Sequence, residues 1–169
     1  MPKTYDFEDF CQITAALRKK EGGCPWDLIQ THESLKPYMV SETAEALAAV
    51  DLYDQTKDSD NFCEELGDML FQVVLQSQIA AEEGLFTIDD VVQNISEKMI
   101  RRHPHVFGEE SYKLLGGHAD TWEDIKKLEK AGRTEAQKRA QKRAVYLATQ
   151  QMIEHLQKSL DKYRDNDYK

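Results

Sequence analysis

The sequence predicts an all-α protein: a four-helix-type bundle with a paired-acid metal site, followed by a C-terminal helical extension. Three observations predict it. Apolar residues recur at three- and four-residue spacing in segment after segment, and strand-like alternation is hard to find. Ser, Thr, Asp, Pro and Gly stand where those segments should start and stop. One run, FCEELGDMLFQVVLQSQIAA, is apolar on nearly every side, as expected for a helix at the centre of a bundle.

The elements follow in order. Residues 5–20 predict a first helix on the stripe Phe7, Phe10, Ile13 and Leu17, capped by Thr4 or Asp6 and stopped by Gly22 and Gly23. GGCPWDLIQTHESLKP then reads as a loop. Its Trp26 is either a plug for a core edge or a stacking surface for a planar base, and Cys24, with no base near it in sequence, reads as structural. A second helix is expected from Pro37 to Leu52, with Val40, Leu47 and Val50 inward and Glu42 and Glu45 beside them. A third runs from Asn61 to Glu83 and stops at Gly84, and Gly67 within it suggests close approach by a backbone or ligand. A fourth opens at Thr87, carries Ile88, Val91, Val92, Ile95 and Met99, and ends before His103 because Pro104 disfavours helix at the residue ahead of it. Residues 109–120 read as a loop pivoting on Gly116 and Gly117. Thr121 with Asp124 starts a short helix ending at Gly132, with Trp122, Ile125 and Leu128 inward and Lys126 and Lys130 outward. From Thr134 one more helix begins basic, EAQKRAQKRA, and continues with a stripe of Val145, Met152, Leu156, Leu160 and Tyr163. Packing on the bundle, pairing with a second subunit and a helical tail are all open to it.

Chemistry concentrates between Ser41 and Asp68. Glu42 with Glu45, and Glu65 with Asp68, are two acidic pairs at i,i+3, so each pair projects from one face of its helix. The short polar connection between the two helices favours an antiparallel pair, which brings four carboxylates to one seam. Acids three apart on a helix are commonly a solvated face. The second pair, however, opens the most apolar helix of the chain. Four carboxylates in a partly buried pocket need a cation, and hard oxygen ligands in that number suit Mg²⁺, with Mn²⁺ second. Lys98, Arg101 and Arg102 close the fourth helix; the macrodipole accounts for cations there, and phosphate binding is the functional alternative. His103 and His105 are weaker metal candidates beside these carboxylates.

Totals narrow the function classes. A net charge of −9 over 169 residues disfavours a general nucleic-acid-binding role. Three cysteines without a CxxC fit reduced thiols in the cytoplasm. No apolar run approaches the roughly 18 residues of a membrane span, and no signal-like h-region opens the chain.

The stretches GCPWDLIQTHESLKPY, ETAEAL, EELGDMLFQVV, AAEEGLF, EKMIRRHPHVFG and WEDIKKLEK, in that order, resemble MazG-type nucleoside triphosphate pyrophosphohydrolases of the all-α NTP pyrophosphatase superfamily. The resemblance covers about Phe7 to Gly132 and is to the N-terminal copy of two-copy members. It implies a domain over 1–132 and an extension over 133–169. It also implies hydrolysis of a nucleoside triphosphate to the monophosphate and pyrophosphate, and a homodimer or higher oligomer. Carried over by position, Glu42, Glu45, Glu65 and Asp68 would be the catalytic metal ligands, and Lys98, Arg101, Arg102 and more weakly Lys126 would meet phosphates; apart from the carry-over, Trp26 and Phe107 are candidates for stacking on the base or walling its pocket. The sequence departs from the family at Ser41, where the first motif ordinarily begins with a second glutamate. That departure and the unfamiliar extension favour a rival: a catalytically weak dimerisation or nucleotide-binding regulatory module. A pyrophosphohydrolase acting on another nucleotide, such as dUTP or phosphoribosyl-ATP, is a nearer alternative.

Overall fold

The computed structural model describes residues 3–116, Ala119 and 121–167, with the side chains of Lys130, Lys162, Tyr163 and 165–167 outside that description. Gly117 of the expected pivot and Tyr163 of the C-terminal stripe therefore lie outside the described residues. Among the described residues the fold is helical without strands, as the sequence predicts. The helices are α1 (Phe7–Leu17), α2 (Pro25–Leu28), α3 (Lys36–Thr56), α4 (Asp60–Glu82), α5 (Ile88–Arg102), α6 (Pro104–Phe107), α7 (Glu109–Leu115), α8 (Trp122–Lys130) and α9 (Glu135–Asp167). None is long and apolar enough to cross a membrane. They form two compact units, Met1–Ile88 with Gln150–Lys169, and Asp89–Thr149.

In the first unit α1 and α3 pack on α4. Asp6 caps α1: its carboxylate accepts from Asp9 N at 2.9 Å, and Asp9 answers by accepting from Asp6 N at 3.3 Å. The helix ends at Leu17, earlier than expected, because the chain turns back on itself and Cys24 N donates to Leu17 O at 2.7 Å. A Cβ at Gly23 would strike the carbonyl oxygens of Leu17 and Lys19, so only glycine fits that turn. Arg18, just past the helix, is buried, and its guanidinium grips Glu82 of α4 at 2.8 and 3.0 Å while donating to the carbonyls of Asp27 and Gln30. This fork ties α1, the α2 turn and the end of α4 together. The α2 segment is a correction to the loop reading: Pro25 sits at the first helical position and fixes one turn.

The helix pair α3–α4 is antiparallel. Tyr53, late in α3, stacks at 6.0 Å on Phe62, early in α4, while Gln76, late in α4, reaches Met39 Sδ at 3.6 Å and the imidazole of His32. The core at their far end is Leu35, Leu75 and Ile79, with Phe71 against it and Phe10 of α1 tilted on Phe71 at 6.2 Å. Two expectations are corrected here. The buried face of α3 is Ala46 and Ala49, whereas Leu47 and Val50 are exposed. Small side chains let two helices approach, and the acids lie on this face rather than beside it, since Glu42 is one turn before Ala46 and Glu45 one turn before Ala49. Second, α4 is covered on one side only in this chain: Val74, Leu75, Ile79 and Ala80 are buried, but Leu66, Leu70 and Val73 are exposed. Nor, among the described residues, does anything lie within 4 Å of a Cβ built on Gly67, so no described backbone outside its own helix approaches it. Helix α3 runs four residues beyond the expected end, to Thr56, and stops where Lys57 adopts a left-handed φ of 62°.

In the second unit, the expected loop at 109–120 instead contains α7, ended by Gly116 at a φ of 69°. Ser111 is fully buried there, its hydroxyl donating to Arg101 O at 2.9 Å at the end of α5. Thr121 caps α8 as expected, accepting from Asp124 N at 3.2 Å, and Ile125 is buried. Thr134 and Gln137 bond reciprocally at the start of α9. That helix begins in the second unit and ends in the first, where His155 Nε2 lies 3.3 Å from Ser41 Oγ. Of the three placements open to the C-terminal helix, this contact is the one recorded between its second half and α3.

Candidate functional site

The α3–α4 seam grades from apolar at the Leu75 end to acidic at the other. Glu65, Asp68, Gln72, Leu75 and Ile79 follow one another at three and four residues along α4, so one face carries both the core and the acids. Opposite them stand Glu42 and Glu45. Carboxylate oxygens of Glu42, Glu45 and Glu65 lie within 4.8 Å of one another. Asp68, the fourth expected member, is exposed and outside that close group, although its charge still reaches Glu42. Burial first, then the charges of Glu45, Asp68 and Glu65, push the Glu42 carboxyl above its ordinary value. Glu65 accepts from Asn61 Nδ2 at 3.0 Å through one oxygen, and its other oxygen is buried with no hydrogen-bond partner. An orphaned carboxylate oxygen facing two more carboxylates is an unfavourable arrangement for the protein alone. A hard divalent cation would satisfy it, and the all-oxygen donor set is of the kind that suits Mg²⁺ or Mn²⁺. Trp26 stands edge-on to Tyr38 at 5.3 Å, with part of its ring exposed.

The basic residues belong to the second unit and are more committed than the sequence suggests. Arg102 donates to both oxygens of Glu129, from Nε at 3.2 Å and Nη2 at 2.7 Å, and Arg101 stands 3.6 Å from the same carboxylate. The Arg102 hydrogen bonds hold the Glu129 carboxyl below its ordinary value, and the bond to Glu129 raises that of Arg102. Arg102 and Lys126 also flank the Trp122 ring, at 5.0 and 5.1 Å from its centre. Of the three cations expected to meet phosphates, Arg102 is thus already held by an internal carboxylate. Sequence reasoning missed Glu129. The available signal was its position, seven residues after Trp122 and four after Ile125, which sets an acid on the inward face of α8. His155, 114 positions from Ser41, gave no local signal at all.

This helical frame, with acids paired across α3 and α4, coincides with a family match. Residues 30–107 match the MazG nucleotide pyrophosphohydrolase domain. The matched span includes all four acids and the basic end of α5. A Thermotoga maritima protein named nucleoside triphosphate pyrophosphohydrolase/pyrophosphatase MazG is 51% identical over 127 residues, which are 73% of this chain and 45% of its own length. The Escherichia coli K12 nucleoside triphosphate pyrophosphohydrolase is 44% identical over 119 residues, 70% of this chain and 44% of that protein. The uncharacterized protein YabN of Bacillus subtilis is 51% identical over 126 residues, 75% of this chain and 25% of its own length. The chain thus spans between a quarter and a half of these relatives.

Proposed function

We propose that this MazG domain hydrolyses nucleoside triphosphates between the α and β phosphates, giving the monophosphate and pyrophosphate. The observation that carries the reading is the acid cluster: three carboxylates within 4.8 Å, one with a buried oxygen lacking any partner, inside a MazG match. Glu42, Glu45, Glu65 and Asp68 would hold Mg²⁺, or Mn²⁺ in its place. The ion would neutralise the triphosphate and polarise the α-phosphoryl group. Glu45 or Glu65 would orient the attacking water, while Lys98, Arg101 and Arg102 stabilise charge on the departing pyrophosphate. Lys126 is a further phosphate candidate, and the exposed part of Trp26 offers a wall for the base. We place the catalytic domain within 1–132 and read 133–169 as an extension. The chain acts as a cytoplasmic homodimer in this reading, which gives the exposed Leu66, Leu70 and Val73 of α4 a cover. Nucleotide binding without turnover is the second reading. Ser41 favours it, because its hydroxyl bonds His155 where a further carboxylate would have added to the cluster.

Pyrophosphate release from a panel of standard and modified nucleoside triphosphates, with Mg²⁺, Mn²⁺ or EDTA, tests the proposal. Metal-dependent release with monophosphate as co-product is expected, and Glu65→Gln should abolish it while keeping the fold. Folded protein inert toward every nucleotide would overturn the hydrolase reading in favour of the binding module.

A further inference from the structure

A second concentration of charge, opposite in sign to the α3–α4 cluster, lies wholly within residues 89–149. There a cavity of about 930 Å³ is walled by the basic end of α5, by Glu129 on α8, by Arg133 and by the first three turns of α9. This volume falls within the roughly 300–1,000 Å³ of small-molecule sites. Seven lysine and arginine side chains line it against two carboxylates. Both carboxylates are engaged: Glu129 with Arg102 at 2.7 Å and Glu135 with Lys138 at 2.8 Å. Lys98, Arg139 and Lys142 have no carboxylate within 4 Å among the described residues. On α9, Lys138 and Lys142 are one turn apart with Arg139 between them, so consecutive turns of one helix present cations to the cavity.

The macrodipole explains the cations on α5, which close their helix, but not those on α9. Lys138 closes the first turn of that helix, where the dipole disfavours positive charge, and Arg139 and Lys142 follow within the next four residues, far from the C-terminal end that would favour them. Local electrostatics and local sequence conflict there, and such conflicts gather at functional sites. An anion in the cavity resolves the conflict. Concavity selects a compact anion over an extended one, and the net charge of −9 works against a long polyanion such as RNA.

We propose that this cavity binds an oligophosphate anion, of pyrophosphate to triphosphate length, and that Arg139 and Lys142 of α9 contact it directly beside Lys98 and Arg101. The inference rests on the phosphate-binding half of the proposed function and not on turnover. Glu129 acts as an internal competitor: it holds Arg102 and stands by Arg101 until a phosphate displaces it. Arg139 and Lys142, with no carboxylate within 4 Å among the described residues, make the first contact.

Calorimetric titration of the full chain in EDTA with sodium tripolyphosphate tests this, with ATP and a short single-stranded RNA as parallel arms. Tripolyphosphate and ATP should bind comparably, more weakly as salt rises. The double variant Arg139→Ala/Lys142→Ala should lose about tenfold or more in affinity for both, and it should melt like wild type without ligand. Arg139→Lys with Lys142→Arg should bind like wild type, and Glu129→Gln should bind more tightly. Unchanged affinity in the double alanine variant overturns the proposal. So does folded wild type that ignores tripolyphosphate, whether it binds ATP or nothing, and so does preference for RNA. Glu65→Gln keeps the two readings apart: it should bind tripolyphosphate like wild type while losing turnover. A wild-type chain that binds but never hydrolyses sinks only the hydrolase reading.

Discussion

Replacing Glu65 with glutamine should stabilise the metal-free protein, and this is the sharpest consequence of the acid cluster. The Glu65 carboxylate lies within 4.8 Å of those of Glu42 and Glu45. Two unit charges at that separation repel by about 1 kcal/mol in water and about 3.5 kcal/mol at an effective dielectric of 20. Glu42 is half-buried and Glu45 exposed, which holds the second pair near the lower figure. Glutamine removes both repulsions, and its amide can donate where the Glu65 oxygen has no partner. The net gain should be about 1–3 kcal/mol, a rise in Tm of about 5 °C for a chain of this size. Scanning calorimetry in EDTA measures it. Adding Mg²⁺ should reverse the order: at a hundredfold excess over Kd the wild type gains about 2.7 kcal/mol, whereas the variant, short of one anionic ligand, gains much less. A variant that melts at or below wild type in EDTA refutes the repulsion argument. A variant that gains as much from Mg²⁺ as wild type refutes the role of Glu65 as a ligand.

Three further predictions follow from the packing. Leu75, fully buried between α3 and α4, should cost about 3 kcal/mol on truncation to alanine, read as a lower urea midpoint with unchanged slope. Arg18→Met should cost about 2 kcal/mol at neutral pH, since it takes one donor from Glu82, which keeps Gln78, and from the carbonyls of Asp27 and Gln30, while Glu82 stays partly solvated. The Arg18 hydrogen bond holds the Glu82 carboxyl below its ordinary value, so this contribution is present above the unfolded-state pKa and lost as pH falls through the folded one. The gap between wild type and Arg18→Met in chemical denaturation should therefore narrow on the acid side of pH 4.5 and stay constant above it. Truncation after Gly132 should leave Mg²⁺ binding by the folded protein intact, since all four acids precede it, but weaken tripolyphosphate binding at least as much as Arg139→Ala/Lys142→Ala does.

Long periodic segments were the legible part of the fold. Helices α1, α3, α4, α5 and α9 stand where their apolar spacing and caps put them, to within a few residues. The short helix α8 was legible through its Thr121 cap, but α2 and α7 were not, because one or two turns offer too few residues for a period to show: α2 depends on Pro25 and the Arg18 contacts, α7 on the burial of Ser111. The end of α3 was missed because Lys57, not glycine, takes the left-handed position. At the site, the paired acids were legible because i,i+3 spacing is a local signal. The partners that modify the site are non-local: Glu129 lies 27 residues from Arg102, and His155 lies 114 from Ser41. Such pairings leave no mark on periodicity.

The choice of buried face on α3 links these observations. A stripe of valine and leucine would seem the natural contact with α4, yet Ala46 and Ala49 make it. Larger side chains at those positions would hold the two helices further apart and carry Glu42 and Glu45 away from Glu65. The alanines therefore set the spacing that gathers the carboxylates, at the cost of hydrophobic burial that Leu47 and Val50 would have supplied. What the single chain forgoes is displayed on its surface as Leu47, Val50, Leu66, Leu70 and Val73. On this argument the charged seam and the uncovered apolar faces have one origin, because close approach of α3 and α4 turns the small and acidic residues inward and the large apolar ones out.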